Sequence, residues 1–241
     1  MANNTALGVL GVIVLVAIGV GILVGMQLGG PVPGNETGTP TGGGTPTPFP
    51  TAGPGVGGTV SLPEGQTTIP ARQFDAAAIE AEIAQLINQE RREQGLDPLV
   101  RTGQLSQRIS DMARRHSVAM ANAGLVRHRI DGVGSSDRYR RANLYDTCQF
   151  LNDAGSYIIR PNYPRPANLE VIATSVVGQP YVENGQRQFN EDAEAVARDI
   201  VTAWRTDPDS WERLAYANAR NLGVGVEITD SGRVYATANV C

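Results

Sequence analysis

Side chains able to do chemistry are few in this chain. It holds two histidines, His116 and His128, and two cysteines, Cys148 and Cys241, in 241 residues. Two histidines leave little room for histidine-based metal chemistry. Two cysteines build neither a thiolate zinc site nor a disulfide-dense scaffold. They permit one intramolecular bridge, which would contribute on the order of 4–5 kcal/mol by the loop-entropy argument. Two free thiols or an intermolecular bond are the alternatives. His116 lies on an apolar stripe between Met112 and Met120, where a histidine reads as a satisfied core residue. Ser210 sits in no Gly-x-Ser-x-Gly elbow. The glycine run at residues 53–58 follows no strand and opens no helix, as a phosphate-binding loop must. Gly223-Val224-Gly225-Val226 falls inside a strand pattern, where glycine signals close packing. Trp204 and Trp211 read as packing residues.

The elements that must position these groups follow from periodicity. Ile79, Ile83, Leu86 and Ile87 repeat at helical spacing within residues 75–95, with Gly95 as a stop signal. Leu105, Ile109, Met112, His116 and Met120 align on a second helix at 103–123, and residues 135–141 suit a short third. Residues 142–168 read as irregular, broken by Pro161, Pro164 and Pro166. A strand is expected at 169–177, a strong helix at 190–205, and a closing hairpin at 222–229 and 233–240 around Asp230-Ser231-Gly232. Helices early and antiparallel strands late argue an α+β fold rather than alternating βαβ units.

The net charge of −4, with pI ≈ 5.3, excludes a generally basic nucleic-acid binder. All 20 basic residues are arginine. They are unevenly placed: residues 101–141 carry nine arginines against Asp111, Asp131 and Asp137, whereas 183–212 is rich in acids. The two segments are expected to neighbour and cancel one another; the alternative is an anion-binding face for lipid headgroups or acidic glycan.

Residues 6–28 are uncharged, and all but Gln27 are apolar or glycine. As a helix they would span roughly 34 Å, enough to cross a bilayer. With no basic n-region and no A-x-A-like site, they read as a retained single-pass anchor rather than a cleaved signal. Residues 29–70 are rich in Gly, Pro and Thr and too poor in apolar side chains to offset chain entropy, so a disordered stalk is expected. Asn35-Glu36-Thr37 is an N-glycosylation sequon, which suits the outside of a cell. The expected organisation is therefore anchor 1–28, stalk 29–70 and globular domain 71–241, with the last outside the cell membrane.

Several pieces of the globular part fall in one family order. Leu86-Ile87-Asn88-Gln89-Glu90-Arg91 precedes Gly95-Leu96-Asp97-Pro98-Leu99; next come His116-Ser117-x-x-Met120-Ala121-x-x-Gly124-x-x-x-His128 and Leu169-Glu170-Val171-Ile172-Ala173; Trp204 and Gly223-Val224-Gly225-Val226 complete the series. Over about residues 75–241 this resembles a CAP domain of the SCP-like extracellular family, in a membrane-anchored prokaryotic form. The resemblance implies an α-β-α sandwich with a central cleft lined by two histidines and two acids, which in some members bind a divalent metal. His128 matches the first histidine and Glu170 the carboxylate of the Glu-Asn-Ile motif. The second histidine's place is taken by Ser210, and Asp207 stands where a second acid would follow Trp204.

These departures set the functional expectation. One cleft histidine and one carboxylate make a poor zinc set; Asp207 or Asp209 would add oxygens suited to Ca²⁺ or Mg²⁺. No cofactor is expected. His128 and Glu170 could serve a peptide or ester hydrolase as base and orienting carboxylate. The preferred reading is a cell-surface binding or interaction module with a degenerate cleft, its partner an amphiphile, a glycan or a surface protein, and not nucleic acid.

Overall fold

The computed structural model describes residues 68–241 apart from Asn184. The anchor expected at 6–28, the sequon at Asn35 and nearly all of the stalk lie outside the described residues. Among the described residues no helix is long and apolar enough to cross a membrane.

A short 3₁₀ turn at Ala71–Gln73 leads into α1, Ala76–Glu93. The Asp75 carboxylate caps it by accepting from the Ala77 N–H at 2.9 Å. Ile79, Ile83 and Ile87, four residues apart, form its fully buried stripe. α2, Gly103–Ala123, stops at Gly124, whose left-handed backbone (φ 65°) a side chain would disfavour. α3 is Ser135–Arg141; two-residue strands β1, Phe150–Leu151, and β2, Ile158–Ile159, pair within the irregular segment that follows, which also holds an isolated bridge between Arg160 and Tyr163. Next come β3, Glu170–Val176, a hairpin of β4, Pro180–Glu183, and β5, Gln186–Phe189, then α4, Ala193–Thr206. α5, Pro208–Leu214, precedes the closing strands β6, Leu222–Ile228, and β7, Arg233–Val240.

β3, β7 and β6 form one antiparallel sheet in that order. Alternation along β7 divides its two faces. Val234, Ala236, Ala238 and Val240 join the main core with Ile83 of α1 and Val196, Ile200 and Trp204 of α4. Tyr235 instead packs with Met120 of α2 and, beside it, Ile172 of β3. Thr237 on that same face accepts a hydrogen bond from Ser117 of α2. Thus α2 covers one face and α1 with α4 the other, giving three layers and an α+β fold. Each fully buried aliphatic side chain in this core contributes about 1.5–3 kcal/mol.

Two glycines set the distance between α2 and the sheet. A Cβ on Gly225 would lie 2.1 Å from the Arg114 backbone nitrogen, and one on Gly223 2.4 Å from that of Ser110. Cys148 and Cys241 are bridged, closing a loop of sequence separation 93 and fastening the irregular segment to the end of β7.

Some expectations need correcting. α4 starts at Ala193 and not at 190, because the Asp192 carboxylate caps it by accepting from the Ala195 N–H at 2.8 Å. The β4–β5 hairpin and α5 were not anticipated. Ion pairs of the arginine-rich and acid-rich segments run to other parts of the domain. Arg205 pairs with Glu90, Arg165 with Asp209 and Glu212, and Arg114 with Glu80.

Candidate functional site

Glu170 opens β3 on the α2 side of the sheet, level with Asn239 of β7. His128 lies in the loop that leaves α2 after the Gly124 turn, and Arg138 comes from α3. The three converge, although 42 residues separate His128 from Glu170. His128 Nδ1 lies 2.9 Å from Glu170 Oε1. Arg138 donates to both carboxylate oxygens, from Nη2 to Oε1 at 2.5 Å and from Nε to Oε2 at 3.2 Å. Asn239 Nδ2 adds a donor to Oε2 at 3.3 Å. Arg138 also donates to the carbonyls of His128 (2.8 Å) and Val133 (3.1 Å), so one guanidinium pins both the carboxylate and the loop above it.

Glu170 is fully buried, whereas the His128 side chain is 35% exposed. Burial alone would push the Glu170 carboxyl up. The His128 hydrogen bond, the Arg138 charge, the His116 ring and the Arg138 hydrogen bonds outweigh it and hold the pKa at about 2. The carboxylate is therefore ionised throughout the physiological range, with four donors already in place.

His116 of α2 is the fourth member, and here the expectation of a satisfied core histidine is corrected. It is 1% exposed, and its Nε2 stands 3.8 Å from Glu170 Oε1. Neither ring nitrogen has a well-formed hydrogen bond, and the Arg127 carbonyl favours its protonated form. Burial, reinforced by Arg138 and His128 and opposed by Glu170, lowers its pKa to about 4, so the ring is neutral at pH 7.

Ser210 and Asp207 meet each other instead. Asp207 caps α5, and Ser210 Oγ donates to its Oδ2 at 2.6 Å. That hydrogen bond is the main cause of a lowered Asp207 pKa. No hydrogen bond or ion pair joins this couple to His128 or Glu170. α5 reaches the cluster through Arg213, whose Nη1 contacts the Glu170 backbone carbonyl at 3.4 Å. Asp209 is held by Arg165 at 2.6 Å.

These groups do not fit a divalent metal. Both Glu170 oxygens and His128 Nδ1 are engaged, and a guanidinium already lies 2.5 Å from the carboxylate. Among the described residues no group of three or more His, Cys, Asp or Glu side chains is arranged to hold a metal ion.

The model of the CAP family, the cysteine-rich secretory protein family, matches residues 84–241. The chain belongs to this family. No curated protein matches it. Among solved structures, an outer surface protein of Borrelia burgdorferi is 14% identical with a TM-score of 0.45, over 72% of this chain and 98% of that one. An extracellular protein of Bacillus anthracis that contains an SCP domain is 16% identical with a TM-score of 0.42, over 76% of this chain and 45% of that one. The chain thus spans less than half the length of the Bacillus protein.

Within this CAP domain the partners that sequence reasoning missed are Arg138, Asn239 and His116 as a neighbour of Glu170. Arg138 was one of nine arginines in its segment, with nothing to single it out. Asn239 could have been found: an asparagine among the small and apolar residues of the last strand needs a buried partner.

Proposed function

We propose that residues 71–241 form an extracellular binding module, presented from a membrane anchor at 1–28 by the stalk at 29–70, and that its cleft holds a partner without turning it over. The observation that carries this reading is the saturation of Glu170. A carboxylate ionised at all ordinary pH and bound by His128, Arg138 and Asn239 has no oxygen left for a metal ion or an activated water, and acts only by orienting the His128 ring. It holds the His128 ring in one orientation with Nδ1 inward, so Nε2 is the atom that can meet a partner. The Ser210 hydroxyl donates to Asp207 and makes no hydrogen bond to His128, so it lacks the imidazole base that a serine nucleophile needs.

The test is to express the chain with and without His128→Ala and to challenge both with ester and peptide substrates and with isolated cell envelopes. No turnover, together with saturable envelope binding that His128→Ala abolishes, is the expected result. Turnover by the wild type that His128→Ala abolishes, with the fold intact, would replace this reading with hydrolysis. Envelope binding unaffected by the substitution would move the partner site away from His128.

A further inference from the structure

A second surface lies in the irregular segment between α3 and β3, and none of its residues belongs to the Glu170 cluster. The register of β1 with β2 sets Phe150 opposite Ile159 and Leu151 opposite Ile158. Ile159 is buried in the main core and Phe150 packs against it. The alternate pair therefore faces out, with Leu151 52% and Ile158 41% exposed. Tyr163 is 50% exposed, and the Tyr157 ring stands edge-on to it, 5.8 Å away at 89°. Clustered apolar and aromatic side chains left in water mark interaction sites.

Beside this patch is an open hollow of about 470 Å³, lined by Tyr145, Ile158, Arg160, Asn162 and Tyr163. Arg160 and Tyr163 form an antiparallel bridge with both hydrogen bonds made, at 3.0 and 3.1 Å, so their side chains leave the backbone on the same side. The Tyr145 hydroxyl donates to Asn162 Oδ1 at 2.7 Å, which holds the amide and leaves Nδ2 without a partner among the described residues. The Arg140 guanidinium lies over the Tyr145 ring, 4.2 Å from its centroid. No acid lines the hollow; Asp146 and Asp153, the acids of this segment, stand outside the lining. The Arg160 side chain is exposed and makes no hydrogen bond or ion pair among the described residues. The hollow thus offers an aromatic face, an amide donor and a guanidinium to one occupant.

We propose that this hollow binds an acidic saccharide: a uronic acid ring whose C–H face rests on Tyr163, whose carboxylate pairs with Arg160, and one of whose hydroxyls accepts from Asn162 Nδ2. A tyrosine ring is apolar enough for the C–H face of a sugar, while its hydroxyl stays in water. The planar fork of arginine matches a carboxylate, so the acid is preferred over its neutral ester. A primary amide donates to a hydroxyl that also keeps its own proton for water. A fatty chain would find one aliphatic wall, Ile158, and no enclosed apolar channel. The volume falls within the range of small-molecule sites, roughly 300–1,000 Å³, and the open side lets the ring be one unit of a longer polymer.

The test is calorimetric titration of the full chain, in a polyoxyethylene detergent whose headgroup is no sugar, with trigalacturonate. Its methyl ester keeps the rings and loses the charge; triglutamate keeps the charge and has no rings. Saturable binding of trigalacturonate is expected, about tenfold weaker in Tyr163→Ala and about fivefold weaker in Arg160→Gln, since both side chains are exposed and the backbone bridge needs neither. The ester should bind wild type and Arg160→Gln alike, and His128→Ala should bind trigalacturonate as wild type does. No saturation at tens of millimolar would overturn the proposal. Triglutamate binding as well as the sugar would replace it with an acidic peptide held by charge alone. Equal binding of acid and ester would overturn the role of Arg160. Binding lost in His128→Ala and kept in Tyr163→Ala would place the ligand in the other cleft.

Discussion

Replacing Glu170 by glutamine tests the cluster at its most connected atom pair. The carboxylate accepts four hydrogen bonds, from His128, Asn239 and twice from Arg138. An amide of the same shape has one acceptor oxygen, and its NH₂ would confront donors of Arg138 or Asn239. It also leaves the Arg138 guanidinium buried without a counter-charge, a change that costs about 3–5 kcal/mol. The depressed acidity gives an independent figure: a carboxyl moved from 4.5 to about 2 corresponds to ~3 kcal/mol of preference for the ionised form. Because the folded-state pKa is the lower one, that contribution is complete above the unfolded value near 4.5. It is lost as pH falls towards 2. Urea unfolding of the disulfide-intact chain at steps from pH 7 to pH 2.5 reads both quantities. At pH 7 the glutamine variant should unfold ~1–3 M urea earlier, given a slope of about 1–3 kcal/mol/M. The two curves should approach one another below pH 4.5. A variant within about 1 kcal/mol of wild type at pH 7, or a gap that stays constant down to pH 2.5, would refute the claim that this carboxylate locks the site.

The remaining expectations concern neighbouring parts of the same domain. His116 has a folded pKa of about 4 against an ordinary value of 6.5, so the unfolded chain binds more protons in between, and stability should drop by ~3 kcal/mol as pH falls through that window. His116→Leu should flatten this part of the stability–pH curve, and an unchanged slope would exclude a buried neutral ring. Gly225→Ala drives a methyl against the α2 backbone and should cost about 3 kcal/mol or more in thermal unfolding; a loss below about 1 kcal/mol would mean that α2 can yield. Joint replacement of Cys148 and Cys241 by alanine should remove about 4–5 kcal/mol, measured by denaturant titration against the oxidised wild type.

How far the sequence could be read differs from element to element. α2 emerged at its observed bounds because its apolar spacing is long and Gly124 marks the stop. The closing hairpin was legible from β-branched residues around Asp230-Ser231-Gly232. α5 escaped because it is only seven residues long and shows no apolar periodicity, although an acid followed by proline, as at Asp207-Pro208, is a helix start. The β4–β5 hairpin escaped because Gln186–Phe189 shows little apolar alternation. For the site, position along the family pattern was enough to pair His128 with Glu170, which meet at 2.9 Å. The count that led to Ser210 found a buried serine whose hydroxyl turns to its own helix cap. Arg138 could not be found this way, since the identity of a buried ion-pair partner depends on which of many arginines the short helix α3 turns inward.

A buried ion pair such as Arg138–Glu170 is weak evidence for stability, because desolvation cancels much of the attraction and a well-packed apolar pair would often do as well. What an apolar pair could not do is fix the backbone around it. Arg138 spends its other donors on the carbonyls of His128 and Val133, both in the loop that carries the exposed imidazole. An arginine cannot lose its charge, and it cannot leave as a bound metal ion could. In this chain the charge at the heart of the cleft is therefore permanent and covalently tethered. The outward-facing His128 edge is held by that one guanidinium. Replacing Arg138 should accordingly loosen the His128 loop and weaken envelope binding even where the fold survives, and binding equal to wild type would refute this role.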